Sequence, residues 1–559
     1  MMRSASAVVL LTCLGLGCGK ISEATGDQHD TASNAAGGGS TPGGSAGRIG
    51  AAGSGLGGSA GVSELSSVEL SGAPIYTRVQ RLTNSQWESG VTDILRFPAP
   101  RALSADFASP LLGVTAFDNN ELVLFVEPRR FGEFESGAEA AAAIATGSPQ
   151  ALAALYAGDD PAGFVRTLGR RAFRRPLSAE EEAKYQDVFA LGERLYGVGF
   201  ANGAALVIRA LLQSPHFLYR TELGPAGDPL SPYELAAKLS FWLLGTTPSD
   251  ALLDAAAAGK LASTDQLVAV ARQMLEDPRA VPVMRDFHGQ LLNVATFQSL
   301  VKNDEYDAAS NPQLAPAANA FFDFIFTGNL GLRELLTSPQ AYVNPALAPF
   351  YGVAAPAALE PRDVGPARSG YFMQVPFLML GSSTAEPNPI QRGLKLERAL
   401  LCAPQRPPPA DIQLPVITPV RPNQTTRQRV IELTESCGGT CHHYTDQLGF
   451  ALENFDGLGR ERELDRGQLI DTTGSYPLAE GLTAFADGND LMRILASSPQ
   501  AHTCYSKHVT SYALGRDLVE GDRPLLESLA EVSRSHSLKD VILALVKDPS
   551  FGTRKAGLP

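Results

Sequence analysis

Apolar positions along most of this chain recur at three- and four-residue intervals, the spacing that lines one face of an α-helix. After Ser231, the residues Leu235, Leu239, Trp242 and Leu243 fall on such a face. Ser231 and Glu234 stand ahead of them at the spacing of a capping box, and Pro232 occupies the first helical position, where its missing N–H loses nothing. Thr83 with Gln86, and Ser178 with Glu181, open two further amphipathic segments in the same way. Strand-like alternation with tight turns is scarce, and only Gln374–Leu380 and Pro415–Val420 read as short extended pieces. The pattern predicts a mainly α, multi-domain protein without a large sheet.

One part of the pattern occurs twice. The run from Leu206 to Arg220 resembles the run from Asp540 to Arg554: each is a helix stopped by a proline, followed by a phenylalanine (Phe217, Phe551) and an arginine at matching offsets. A helix ending in arginines lies upstream of each, Phe164 to Arg175 and Cys504 to Arg516. This is the mark of a duplicated helical unit whose phenylalanine plugs a groove between packed helices. Two unrelated proline-terminated helices are the alternative.

The N-terminus departs from this picture. Arg3, the apolar stretch from Ala7 to Leu16 and then Cys18 after a small residue read as a lipoprotein-type signal over residues 1–18, with Cys18 acylated. A plain secretory peptide is the alternative. The stretch is too short for a membrane anchor. Residues 19–67 collapse to Gly, Ser, Ala and Thr, which cannot form a core and predict a flexible tether. The expected location is therefore outside the cytosol, as an outer-membrane or cell-surface lipoprotein, periplasmic or extracellular, held to the membrane by a lipid. A formal net charge of −13, with no basic stripe interleaved with aromatics, argues against nucleic acid as a partner.

The strongest chemical signal is Cys437-Gly-Gly-Thr-Cys441-His442. Two thiols and an adjacent imidazole on one tight loop suit a covalently attached c-type haem, the thiols bonding the porphyrin and His442 ligating the iron. The usual motif has two residues between the cysteines and this one has three, but Gly438 and Gly439 let the loop close over the longer span. Met492 is the distal candidate, with core packing as its other reading. His502 and His508 are further candidates, and His443 would have to turn away from the ring that His442 ligates. Two rival readings keep the cysteines haem-free. One is a local Cys437–Cys441 disulfide; the other is a metal site, for which a second cysteine or histidine pair is missing. A Cys402–Cys504 bridge is compatible with haem or disulfide at the loop. Glu453 and Asp456 read as turn-capping or arginine-bound carboxylates rather than an acid–base pair. His288 reads as a packing histidine.

Several short motifs occur in a characteristic order: Arg81-Leu-Thr-Asn-Ser-Gln-Trp87, Phe117-Asp-Asn-Asn-Glu121, Phe173-Arg-Arg-Pro-Leu-Ser178, Gln213-Ser-Pro-His-Phe-Leu-Tyr-Arg220 and the segment Leu230–Ser240. Then come Pro389-Ile-Gln-Arg-Gly393, the segment Leu448–Asp456 and Tyr512-Ala-Leu-Gly-Arg516. Together they resemble the large multi-module bacterial proteins associated with planctomycete-type cytochrome c domains, built from domains of unknown function. The resemblance implies export and a Cys-x-x-Cys-His motif ahead of the Leu-Glu-Asn-Phe-Asp segment, hence a haem. Cys437, Cys441 and His442 stand at those positions, with one residue inserted.

The expected modules are 68–160, 161–225, 226–365, 366–485 with the cysteine motif, and 486–559 resembling 161–225. The expected function is electron transfer or an oxidative step on an unknown substrate or with an unknown redox partner, through haem c. If the chain is an enzyme, it fits a haem-dependent oxidoreductase. The competing class is a haem-free extracellular protein that binds a polymer or partner, with the cysteine loop stapled.

Overall fold

The capping boxes at Thr83, Ser178 and Ser231 each close a helix N-terminus. Their side chains accept from the amide three residues on, and Gln86, Glu181 and Glu234 return a bond to the cap amide. The helices they start are Asn84–Ile94, Ala179–Tyr196 and Pro232–Leu243. Leu235, Leu239, Trp242 and Leu243 are all buried in the last of these.

This computed structural model describes residues 66–72, 79–110, 115–303, 305–384, 386–404, 420–434 and 442–554. The signal segment with Cys18, nearly all of the Gly/Ser tether, and Cys437 and Cys441 lie outside them. The protein is mainly α and multi-domain, and 57% of the described residues are helical. Among the described residues the named strands form only two-stranded antiparallel sheets, and no helix is long and apolar enough to cross a membrane. A smaller hydrophobic core gathers Trp87, Phe134, Phe164 and Phe217, while the larger one extends from Phe117 to Phe551.

The extended piece expected at Gln374–Leu380 is instead a helix, Val375–Leu380, with Pro376 in its first turn. Val375 to Met379 are all buried, so no polar positions break the run, and periodicity cannot separate a fully buried helix from a buried strand. Of Pro415–Val420, only Val420 lies within the described residues.

The duplication is visible in detail. Helices Pro161–Phe173, Ala179–Tyr196 and Phe200–Leu212 correspond to Pro499–Leu514, Arg523–Ser535 and Leu538–Lys547. The first helix of each set ends in a left-handed residue, Arg174 (φ 59°) or Gly515 (φ 64°). The next arginine forks a carboxylate six residues further on: Arg175 to Glu181 at 2.8 Å twice, Arg516 to Asp522 at 2.9 Å twice. Ser214 and Asp548 each cap the proline turn by accepting from the amide two residues on. Phe217 and Phe551 then plug the cores, both fully buried.

The repeat also includes a fourth helix that comes earlier in the chain. Leu82 N donates to Leu218 O at 2.9 Å, and Leu230 N donates to Gly552 O at 2.8 Å. Each leucine directly precedes the capping residue of a helix, Thr83 or Ser231. Eight residues past Leu82 and Leu230 stand Gly90, where a Cβ would touch the Phe217 ring at 3.6 Å, and Lys238, whose Nζ lies 4.8 Å from the Phe551 ring.

Two family-type motifs far apart in sequence also meet. Asn119 Nδ2 donates to Tyr512 O at 2.8 Å, and Glu121 N donates to Gly515 O at 2.7 Å. The segment Phe117–Glu121 therefore latches onto the segment Tyr512–Arg516.

The module that carries the cysteine motif is set by an unusually close helix crossing. Helices Pro389–Leu396 and Thr445–Phe450 touch backbone to backbone, so a Cβ on Gly393 would collide with the Thr445 carbonyl and one on Gly449 with the Pro389 carbonyl. Gly393→Ala is therefore expected to cost roughly 2–3 kcal/mol in urea unfolding, since overpacked backbone cannot relax the way a flexible side chain can. Gly289→Ala serves as the control: its Cβ would meet only Val294, at an ordinary 3.9 Å, and in a helix interior alanine should raise the midpoint slightly rather than lower it.

Candidate functional site: the module around His442

His442 leads into helix Thr445–Phe450, with its carbonyl accepting from Asp446 N at 2.9 Å. Its ring Nδ1 lies 3.3 Å from Asp446 Oδ1, the i,i+4 contact of a helix start. A carboxylate can only accept, so Nδ1 carries the proton. The same contact raises the His442 pKa above its ordinary value. The Asp446 side chain is 5% exposed and that of His442 is 32% exposed. Nε2 makes no hydrogen bond among the described residues, which hold the ring from behind through Nδ1.

What holds the helix that carries this pair is a buried polar knot. Glu397, 3% exposed, accepts from Thr445 Oγ1 at 3.1 Å and from Tyr476 OH at 2.7 Å. Burial, with Glu397 beside it, pushes the Tyr476 phenol far above its ordinary range, so it remains a donor. Arg392, fully buried, donates to the carbonyls of Leu452 and Phe455 at 2.8 Å and of Asp456 at 2.7 Å. Burial lowers its pKa to about 10, which still leaves it charged at neutral pH. The motifs Pro389–Gly393 and Leu448–Asp456 are thus two halves of one interlock.

The reading of Glu453 and Asp456 as structural carboxylates holds. Asp456 binds Arg460 at 2.7 Å and accepts from the amides of Leu458 and Arg460. Glu453 lies 3.4 Å from Arg462, and burial pushes its carboxyl up to about 7.

Cys402 and Cys504 form a disulfide that ties the end of the turn Glu397–Leu401 to helix Pro499–Leu514. His508, one turn on, places Nε2 3.3 and 3.5 Å from the two sulfurs and 3.3 Å from Arg398 O. Burial pushes its pKa down to about 3, so it packs the bridge as a neutral ring. His502 uses both nitrogens, on Ser533 Oγ at 2.8 Å and Ala496 O at 3.1 Å. His443 stacks edge-on to Tyr444 at 4.7 Å. Met492 is fully buried in the larger core, on helix Gly488–Leu495. Two cavities among the described residues, of about 410 and 840 Å³, are lined by neither His442 nor Met492. His288 is a satisfied packing histidine, bonded to Met284 O and Tyr505 OH at 2.9 Å each.

Sequence reasoning did not single out Asp446, Glu397 or Tyr476. Asp446 had a local signal, a carboxylate four residues after His442 at a helix start. Glu397 and Tyr476 had none, because their partners lie 48 and 79 residues away.

Four family models match consecutive stretches of the chain. They are DUF1595 over residues 162–222, DUF1592 over 230–353, DUF1588 (PSCyt3) over 368–465 and DUF1585 over 482–551, each a protein of unknown function. Cys437, Cys441 and His442 fall within the DUF1588 span. No curated protein and no solved structure matches the chain. The order of these four modules, with the interlocked motifs inside them, makes the chain a member of the planctomycete cytochrome-c-associated, multi-module proteins built from domains of unknown function.

Proposed function

We propose that this protein is an exported lipoprotein, tethered through Cys18 at the outer membrane or cell surface, that carries a covalent c-type haem for electron transfer or an oxidative step. In this reading Cys437 and Cys441 hold the porphyrin and His442 Nε2 ligates the iron. A haem bound there supplies one-electron chemistry. The chain's own part is to fix the imidazole. The observation that carries the reading is the posture of His442: Asp446 engages Nδ1, which sets the tautomer and leaves Nε2 available, the outer-shell arrangement common to metal-binding histidines.

Two further features support it. The family associations are with cytochrome c domains, which points to a redox-related role. The Cys402–Cys504 bridge takes two of the cysteines out of competition and suits an oxidising compartment. Met492 remains the distal candidate.

The test is a pyridine haemochrome spectrum with in-gel haem staining, on protein exported from a host with c-type maturation machinery. Covalent haem is expected, and Cys441→Ala should abolish the stain while export continues. Correctly exported protein without haem would overturn the reading and leave the cysteine loop as a disulfide in a haem-free binding protein.

A further inference from the structure

The cavity of about 840 Å³ lies in the size range of sites for small organic ligands. It is walled by the C-terminal half of helix Ala280–Leu291 with the turn after it, by Phe377, and by the segment Lys395–Ala399, with His508 at its edge. Much of this wall is apolar: Pro282, Leu291, Val294, Ala295 and Phe377 all face the space.

Lys395 and Arg398 stand three residues apart, so their side chains share one helical face, and both line the cavity. Among the described residues neither makes an ion pair or a side-chain hydrogen bond. Burial, and then the Arg398 charge, lower the Lys395 pKa. The third cation on the wall, Arg285, is already forked onto Asp323 at 2.6 and 2.8 Å. Lys395 is half-buried and Arg398 exposed, so the two bring positive charge to the edge of a largely apolar cavity without needing a counter-ion from the fold.

The helix Ala280–Leu291 contributes Asp286. It stays accessible from the cavity although protein encloses it on the larger scale. Gln290 Nε2 reaches Asp286 Oδ2 at 2.7 Å and Asp118 Oδ1 at 3.0 Å, and Tyr512 OH lies 3.2 Å from Asp286. Burial and the Asp118 charge push the Asp286 carboxyl up to about 6. Exposed on the cavity wall, Asp286 is positioned to accept a hydrogen bond from a ligand donor.

We propose that this cavity binds an organic anion with an apolar body, its acid group on Lys395 and Arg398 and a hydrogen-bond donor of the ligand on Asp286. The site is separate from His442 and does not depend on the presence of haem.

The probe is 1-anilinonaphthalene-8-sulfonate, which has an apolar body, an acid group and an N–H. It is titrated by fluorescence into the folded full chain at low ionic strength, with uncharged N-phenyl-1-naphthylamine as its partner. Saturable binding of the sulfonate is expected. Lys395→Ala/Arg398→Ala should weaken it roughly tenfold or more while leaving the neutral probe's affinity nearly unchanged. Ala295→Trp, which fills the cavity from an exposed position, should weaken both probes. Circular dichroism and thermal melting of each variant check that it is folded. No saturable binding, or binding indifferent to Ala295→Trp, would overturn the site. Binding lost on filling but indifferent to removal of the two cations would overturn its assignment to an anion.

Discussion

Arg392→Met is expected to destabilise the protein by about 3–5 kcal/mol, the scale for removing one partner from a buried charged network. The Arg392 side chain is fully buried and its guanidinium spans two segments sixty residues apart. Nη1 donates to Leu452 O and Phe455 O, and Nη2 to Asp456 O and Ser382 Oγ. With methionine in its place those carbonyls stay buried and lose their donor. Glu453 would also lose the largest charge influence that favours its carboxylate, alongside that of Arg462. Arg392→Lys keeps the charge but not the fork. A single ammonium cannot reach all these oxygens, so most of the loss should remain. Urea unfolding followed by circular dichroism measures both variants. A midpoint for Arg392→Met within error of wild type would show that the interlock contributes little.

The second large effect belongs to the disulfide. Cys402 and Cys504 are 102 residues apart, and the closed loop contains the whole cysteine–histidine segment. In the chain-entropy account, cross-linking a loop near that length stabilises by about 4–5 kcal/mol, mainly by restricting the unfolded chain. The double variant Cys402→Ala/Cys504→Ala should lose about that much. It avoids leaving a free thiol beside His508. Wild-type protein unfolded with a dithiol reductant should show a comparable loss, and the double variant should be insensitive to the reductant. A double variant within about 1 kcal/mol of wild type would mean that the unfolded loop is already restricted by other contacts.

The Arg392 interlock also shows what holds the helix that follows His442. The helix carrying Asp446 is gripped by the Gly393–Thr445 crossing, by Glu397 through Thr445, and by Arg392 below the turn that follows. Gly393, Glu397 and Arg392 all lie more than forty residues from His442 in the chain. The imidazole geometry is thus a product of packing between distant segments, although its immediate partner, Asp446, is local.

Much of this was readable in the amino-acid order. The caps at Thr83, Ser178 and Ser231 rest on contacts three residues long, and the structure contains all of them. The duplicated unit showed in the matching Pro–Phe–Arg offsets because each offset reports one helix stop and one buried ring. The structural role of Asp456 was legible for the same reason, its arginine being four residues away. Helix Val375–Leu380 was not legible, since burial on every side removes the polar positions that reveal a period.

By itself, then, the order of residues determined many helix starts and stops, the mainly α class and the repeat, because caps, proline stops and helical periods rest on interactions a few residues long. The tertiary structure alone decided that Arg392 clamps the Leu452–Asp456 turn and that a fourth helix completes each repeat. It alone placed Lys395, Arg398 and Asp286 around one cavity. Those arrangements join groups tens to hundreds of residues apart, and such pairings take on energetic meaning only once folding has brought them together and removed the water between them.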